Sequence, residues 1–169
     1  KNYLPDLKRV ENRRIKNATP TQYANIEFKS KIEAMVYRTL VDNGLEPQYE
    51  SHKYVLWSGG KPTVPFYTKS KKELLKLDLT KLHDITYTPD FYLEYEGMKV
   101  FIEAKGQVND VFPVKFKMFR QLIESFPDHD KYLIFEIFGK RQLLEAIKVI
   151  KSYGSSRENE KVNKSITKE

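Results

Sequence analysis

The chain has no cysteine, a single tryptophan and no long apolar run among its 169 residues. Without cysteine it forms neither disulfides nor thiolate metal sites, so its fold requires no oxidising compartment. No apolar run approaches the roughly 18 residues that span a bilayer, and no signal-peptide core opens the sequence. We therefore expect a cytoplasmic protein with no membrane partner.

Several signatures of nucleotide and hydrolase chemistry are also missing. The sequence contains no P-loop, no glycine-rich dinucleotide turn and no nucleophile elbow, so nucleotide-dependent and serine-hydrolase reactions have no support. It also lacks a zinc finger, a basic zipper and a separate DNA-reading domain, which leaves sequence-specific recognition of nucleic acid without a visible basis.

What the chain does have is aromatic residues and positive charge. Ten Phe and eleven Tyr indicate a globular domain, and the net charge of +7 suits a polyanionic partner. Residues 1–20 hold six basic and two acidic residues, a net charge of +4. We expect a basic N-terminal arm over this range, either a solvated tail or a segment that contacts phosphates. Its candidate phosphate contacts are Arg9, Arg13, Arg14 and Lys16.

The stretch 88–105 predicts a β-hairpin. Two β-prone runs flank Glu96-Gly97, a pair suited to a two-residue turn because glycine tolerates positive φ. With that turn, Asp90 lies opposite Glu103 and Glu94 lies opposite Lys99. The other face of the hairpin is almost wholly apolar and is predicted to be core: Phe91, Leu93, Tyr95, Met98, Val100, Ile102 and Ala104.

Two opposed carboxylates have a chemical consequence. Like charges directly across a ladder are destabilising, and a cation between Asp90 and Glu103 would reverse that penalty. Mg²⁺ takes oxygen ligands, usually one or two carboxylates together with waters and substrate phosphate. From geometry alone, a surface hairpin whose charges face water remains the alternative.

The residues Pro89-Asp90 and Glu103-Ala104-Lys105 resemble the signature of the PD-(D/E)XK nuclease superfamily. The flanking residues resemble phage-type members, including endonuclease I and Holliday junction resolvase-like proteins. The resemblance implies a restriction-endonuclease-like α/β core: a helix, an antiparallel hairpin, a right-handed βαβ crossover and a C-terminal helix. It implies Mg²⁺, with Mn²⁺ as a substitute, held by Asp90, Glu103 and the Ala104 carbonyl, with Lys105 beside the attacking water.

The function that follows is a Mg²⁺-dependent endonuclease that hydrolyses DNA phosphodiester bonds. A small basic domain suits recognition of DNA shape or branched structure rather than sequence. A host-DNA-degrading or nicking nuclease is an alternative, and so is a non-catalytic nucleic-acid-binding protein that keeps the fold. A resolvase would need paired sites and hence a homodimer. A phage-encoded protein of this kind would act in the host cytoplasm.

Glu33 has two candidate roles. Ser30 and Glu33 have the spacing of a capping box at the start of a helix that ends at Asn43-Gly44. Related nucleases often place a glutamate on the helix before the catalytic sheet, so the resemblance also makes Glu33 a catalytic and metal-site candidate. The two roles are compatible.

The remaining segments complete the predicted nuclease domain, 21–153. A helix over 111–125, capped by Asn109 or Asp110, carries Lys115, Lys117 and Arg120 off its apolar stripe, as a solvated flank or a phosphate track. A strand over 131–138 then closes a βαβ unit. Gln107 is a weaker candidate for positioning water.

Other predictions concern the periphery of that domain. The patterns indicate a strand over 46–57, with Trp57 in the core or as a platform on which a base stacks, and a last helix over 141–152. The run 69–76 is compatible with one or two helical turns, and its four lysines either face solvent or line a DNA groove. The polar residues 154–169 are typical of a flexible tail.

Overall fold

The computed structural model describes residues 20–106 and 111–166, and the side chains up to residue 153. This part of the chain is a mixed α/β structure with three α-helices and several small sheets. The elements are β1 (Thr21–Tyr23), β2 (Ile26–Phe28), α1 (Lys31–Asp42), β3 (Gln48–Tyr49), β4 (Tyr54–Trp57), β5 (Tyr67–Lys69), β6 (Leu75–Leu77), β7 (Ile85–Tyr87), β8 (Phe91–Tyr95), β9 (Met98–Ala104), α2 (Phe112–Glu124), a short 3₁₀ helix (His129–Lys131), β10 (Tyr132–Ile137) and α3 (Lys140–Ile166).

The predicted hairpin is β8 and β9, at the centre of a four-stranded sheet of order β10-β9-β8-β3. Glu96 and Gly97 both have positive φ, at 46° and 80°, as a tight turn between twisted strands requires. Tyr92 pairs with Phe101 and Glu94 pairs with Lys99. The predicted register is therefore confirmed.

Both faces of this sheet are buried. The face predicted to be core packs against α1 and α3, and its buried residues include Phe91, Leu93, Met98, Val100 and Ile102. On the opposite face, Tyr92 and Phe101 pack against Phe119 and Ile123 of α2. Because α2 covers this second face, the carboxylates that the hairpin brings together do not lie on an open surface.

Strands β9 and β10 are parallel and α2 connects them, which confirms the predicted βαβ unit. Val111 is the N-cap of α2 and makes no side-chain capping bond. The predicted caps, Asn109 and Asp110, lie outside the described residues. The predicted capping of α1 by Ser30 is confirmed, since the Ser30 Oγ accepts a hydrogen bond from the Glu33 N–H.

Residues 46–57 form two strands rather than one. Glu50 adopts a positive φ of 46°, and its N–H donates to the Asp90 carbonyl at 2.8 Å. This bend ends β3, which pairs with β8, and sends β4 to pair with β7 instead. The prediction that Trp57 is a core residue is wrong, because this side chain is 44% exposed.

The prediction of helical turns near 69–76 is also wrong. Strands β5 and β6 form an antiparallel hairpin there, with Lys69 paired to Leu75. Glu73 takes a φ of 64°, so the connecting turn closes a hairpin and cannot continue as a helix. At the C-terminal end, α3 extends beyond the predicted 141–152 to Ile166, across most of the segment expected to be a flexible tail. Among the described residues, no helix is long and apolar enough to cross a membrane.

Candidate active site

Asp90 and Glu103 lie at the open end of the β8–β9 hairpin and are joined through the backbone. The Ala104 N–H donates to Asp90 Oδ2 at 2.8 Å, and the Asp90 N–H donates to Glu103 Oε2 at 3.4 Å. Each carboxylate thus accepts a hydrogen bond from a backbone N–H of the segment that carries the other acid. The hairpin register places both acidic groups within one small volume, as the sequence predicts.

Glu103 is buried, with only 5% of its surface exposed, and both of its oxygens have partners. Tyr87 Oη donates to Glu103 Oε2 at 2.5 Å, and Lys105 Nζ forms an ion pair with Glu103 Oε1 at 2.5 Å. The Lys105 ammonium also lies 3.7 Å from the centre of the Phe112 ring. A cation over an aromatic face is stabilised by the ring's quadrupole, so Lys105 is held from two sides.

The environment of Asp90 disfavours its negative charge. Burial raises the pKa of the Asp90 carboxyl well above its ordinary value, and the charges of Glu103 and then Glu33 raise it further. The hydrogen bond from the Ala104 N–H and the charge of Lys105 offset only part of this effect. A site of this kind is stabilised by an additional positive charge.

Glu33 lies in the first turn of α1 and is 7% exposed. Its carboxylate accepts hydrogen bonds from the Ser30 hydroxyl at 2.7 Å, the Lys29 N–H at 3.1 Å and the Tyr49 hydroxyl at 2.5 Å. The capping role is therefore present. The charge of Glu33 is also one of the smaller causes that raise the pKa of Asp90, after burial and the charge of Glu103.

We expect Glu33→Gln to retain the fold but to lose the Mg²⁺-dependent DNA cleavage that the sequence predicts. A glutamine amide can donate to the Ser30 hydroxyl while its oxygen accepts from Lys29 and Tyr49, so the capping box survives. The missing charge matters only if Glu33 contributes to the site, and loss of such a supporting group typically costs about 10- to 100-fold. A melting curve and a cleavage rate on the same preparation make the comparison. Near-wild-type turnover would leave Glu33 with the capping role alone.

The donor set for a metal is limited. Within residues 20–106 and 111–153, no group of three or more histidine, aspartate or glutamate side chains is arranged to hold a metal ion. The pair Asp90 and Glu103 supplies hard oxygen donors, which match Mg²⁺ because that ion usually takes one or two carboxylates and completes its shell with water and phosphate.

The other predicted site residues are dispersed. The half-buried Lys115 donates from Nζ to the Thr86 carbonyl at 3.1 Å and so joins α2 to β7, whereas Lys117 and Arg120 are exposed on α2. Five predicted residues lie outside the described part of the chain, namely Arg9, Arg13, Arg14, Lys16 and Gln107.

Sequence reasoning missed the two tyrosines that hold the acidic groups. Burial, followed by the charge of Glu103, raises the pKa of Tyr87, so its hydroxyl stays protonated and donates. The pKa of Tyr49 is raised in the same way by burial and by its hydrogen bond to Glu33. Tyr87 stands close before Pro89-Asp90, but nothing in the local pattern distinguishes these tyrosines from core aromatics.

Comparisons with models of protein families, with curated proteins and with solved structures found no significant match to this chain. The function of the chain is therefore inferred from the geometry of the site and from the sequence motif.

Proposed function

We propose that this chain is a Mg²⁺-dependent endonuclease that hydrolyses DNA phosphodiester bonds. Its active site would consist of Asp90, Glu103 and Lys105. The observation that carries the proposal is the pairing of two acidic groups at the end of one hairpin, in surroundings that raise the pKa of Asp90. A merely structural pair would gain nothing from being placed there, since like charges across a ladder are destabilising.

The fold around the pair is compatible with a restriction-endonuclease-like core. The hairpin is followed by a parallel βαβ unit, and α1 precedes it and packs against the core face of the sheet. This order of elements is the one that the PD-(D/E)XK resemblance implies. We assign the finer fold on these grounds, as part of the proposal.

Asp90, Glu103 and the Ala104 carbonyl would hold the metal ion, Mg²⁺ or Mn²⁺ in its place. When bound, the ion supplies charge stabilisation at a phosphate oxygen and lowers the pKa of a water molecule. The residues fit such an ion because the donors are hard oxygens, and because burial, followed by the charges of Glu103 and Glu33, disfavours the negative charge of Asp90 until a cation is bound.

The chain's own groups orient and balance the site. Lys105 is positioned by Glu103 on one side and by the Phe112 ring on the other, so its ammonium can direct an attacking water and offset charge on the phosphate. Tyr87 anchors the other oxygen of Glu103, which restricts that carboxylate to one orientation. A fixed donor loses less free energy to reorganisation during the reaction.

DNA shape is the substrate feature that the proposal favours. Lys117 and Arg120 are exposed on α2, the helix that supplies Phe112 to the site, so they are available to contact phosphates. Phosphate contacts carry no base information, which fits a nuclease of branched DNA, with a nicking or host-DNA-degrading enzyme as the alternative. Junction resolution would require two copies of the chain.

The test is incubation of the protein with supercoiled, linear and four-way-junction DNA, each with Mg²⁺, with Mn²⁺ or with EDTA. We expect cleavage with either metal, none in EDTA and none by the Glu103→Gln variant. Paired cuts across the junction, from a species that sediments as a dimer, would identify a resolvase. DNA binding without cleavage in any metal would mean a non-catalytic protein and would overturn the assignment.

A further inference from the structure

A two-stranded projection extends from the strands that adjoin the site. Residues 60–82, here called the ribbon arm, are closed at their base by two hydrogen bonds between Gly60 and Leu82, at 3.0 and 2.9 Å. The arm continues from β4 and β7, and β7 ends at Tyr87, whose hydroxyl bonds to Glu103. Strand β7 therefore connects the base of the arm to the candidate active site.

The outer end of the arm is a defined turn. The Glu73 N–H donates to the Ser70 carbonyl at 3.0 Å, and the Ser70 N–H donates to the Leu74 carbonyl at 2.7 Å. With Glu73 at positive φ, this is a three-residue hairpin loop. This loop places Lys71 and Lys72 at the tip of the arm, at the opposite end from the Gly60–Leu82 base.

The arm is strongly basic. Residues 60–82 contain six lysines and two acidic residues, a net charge of +4. All six lysines are exposed: Lys61, Lys69, Lys71, Lys72, Lys76 and Lys81. Lys69 forms an exposed ion pair with Glu73 at 2.8 Å. The charge of this one projection accounts for more than half of the net charge of the whole chain.

The arm also exposes apolar side chains that no described element covers. Leu74 is 66% exposed and Leu75 is 78% exposed, and both follow directly after the tip. Phe66 and Tyr67, on the strand that leads to the tip, are exposed as well. A hairpin that needed only solubility would carry polar groups at these positions. Clustered exposed apolar residues mark a contact surface.

We propose that the ribbon arm is a DNA-binding element whose lysines contact phosphates and whose apolar tip inserts between bases. A two-stranded ribbon fits a DNA groove, and apolar side chains inserted between base steps unstack and bend the duplex. Charge selects DNA over a second copy of the chain. Two ribbon arms from different copies, each with a net charge of +4, repel each other, whereas DNA attracts both. The inference rests on the proposed function and adds how the DNA is held.

The first test measures affinity for duplex and four-way-junction DNA as a function of salt, using the full chain in EDTA so that nothing is cleaved. The variant Lys71→Ala/Lys72→Ala/Lys76→Ala should bind more weakly, with a log–log salt slope shallower by up to about 2.7 for three lost duplex contacts. The matched control, Lys140→Ala/Arg141→Ala/Lys148→Ala, removes equal charge from exposed positions of α3, which packs on the opposite face of the central sheet from α2 and β7. The control should leave the slope unchanged, and an unchanged slope in the arm variant would overturn the proposal.

The second test addresses the tip. Leu74→Ser/Leu75→Ser keeps every lysine, so the salt slope should stay at its wild-type value. The ratio of the affinity for junction DNA to the affinity for linear duplex should fall. The gain in fluorescence of a 2-aminopurine at the bound base step should fall as well, since unstacking of that base causes the gain. These exposed side chains do not contribute to the core, and an unchanged melting curve would verify it. A wild-type fluorescence response would overturn the proposal that the apolar tip inserts between bases.

The outcomes separate the arm from the proposed function. Cleavage by the wild-type protein, combined with wild-type binding by both arm variants, would overturn only the arm. A wild-type chain that neither binds nor cuts DNA would overturn both. If the leucine variant instead converts a dimer to a monomer in sedimentation, with binding per protomer preserved, the tip contacts a second copy and the DNA assignment fails.

Discussion

Asp90→Asn should abolish metal-dependent cleavage, with a loss on the order of 1,000-fold or more, while DNA binding in EDTA stays close to that of the wild type. The asparagine oxygen can still accept the hydrogen bond from Ala104, so the hairpin end is preserved. What disappears is one negative oxygen donor, and charge stabilisation at the reacting group is commonly the largest single catalytic effect. A single-turnover cleavage assay at saturating metal measures the loss.

Glu94→Gln is the matched control for that variant. Glu94 lies on the same hairpin, opposite Lys99, but it is exposed and lies at the end remote from Asp90. Its loss of charge should leave the cleavage rate unchanged. Full activity in Asp90→Asn, or an equal loss in both variants, would remove Asp90 from the catalytic site.

The same substitution should stabilise the metal-free protein. Because the folded state raises the pKa of Asp90 above 3.8, the folded carboxyl favours its neutral form, and the wild type loses stability as the pH rises above that value. The asparagine variant does not titrate at this position. In EDTA, the excess stability of Asp90→Asn should therefore grow as the pH rises from about 4 to the raised pKa of the folded Asp90 carboxyl. Mg²⁺ should reduce the difference, since a ligand that binds only the folded wild type stabilises it.

Lys105→Met should lose both activity and stability. The substitution leaves Glu103 buried with no opposing cation at Oε1, and removing one partner of a buried ion pair typically costs about 3–5 kcal/mol. At about 2–4 °C per kcal/mol for a domain of this size, the melting temperature should fall by roughly 6–20 °C. Turnover should fall as well, because the variant lacks the ammonium that we propose directs the attacking water.

A double-mutant cycle separates these two effects of Lys105. In Glu103→Gln/Lys105→Met neither charge remains, so much of the lost stability should return while cleavage stays absent. Losses that merely add would show that the two residues are not coupled. Lys99→Met serves as the control, since it breaks the more exposed pair with Asp128 at 2.9 Å and should cost less stability.

The sequence alone was sufficient for the features that depend on neighbours along the chain. The turn at Glu96-Gly97 determines which residues of β8 and β9 face each other, and the period of two determines which of them point into the core. Ser30 and Glu33, three residues apart, specify the start of α1, because the Glu33 N–H donates a hydrogen bond to the Ser30 hydroxyl. The βαβ unit follows from an apolar helix between two β-prone runs.

Two sequence predictions failed where a backbone turn overruled the side-chain pattern. The run 46–57 reads as one strand, yet positive φ at Glu50 divides it, because that residue's N–H bonds to the Asp90 carbonyl. The lysine-rich run near 69–76 reads as helical turns, yet it pairs with itself as a hairpin. Helix propensity is a weak preference, and cross-strand hydrogen bonds override it.

The character of the candidate site was decided by tertiary structure. The hairpin register predicts that Asp90 and Glu103 meet, but only the tertiary fold buries Glu103, and only the packing of α2 on that face brings the Phe112 ring to Lys105. Tyr87 and Tyr49 reach their acidic partners from strands 16 residues away along the chain. Burial and long-range hydrogen bonds determine the surroundings of these carboxylates, and both arise only when distant segments pack together. The sequence therefore determined which acidic groups meet, and the tertiary fold determined the environment in which they do so.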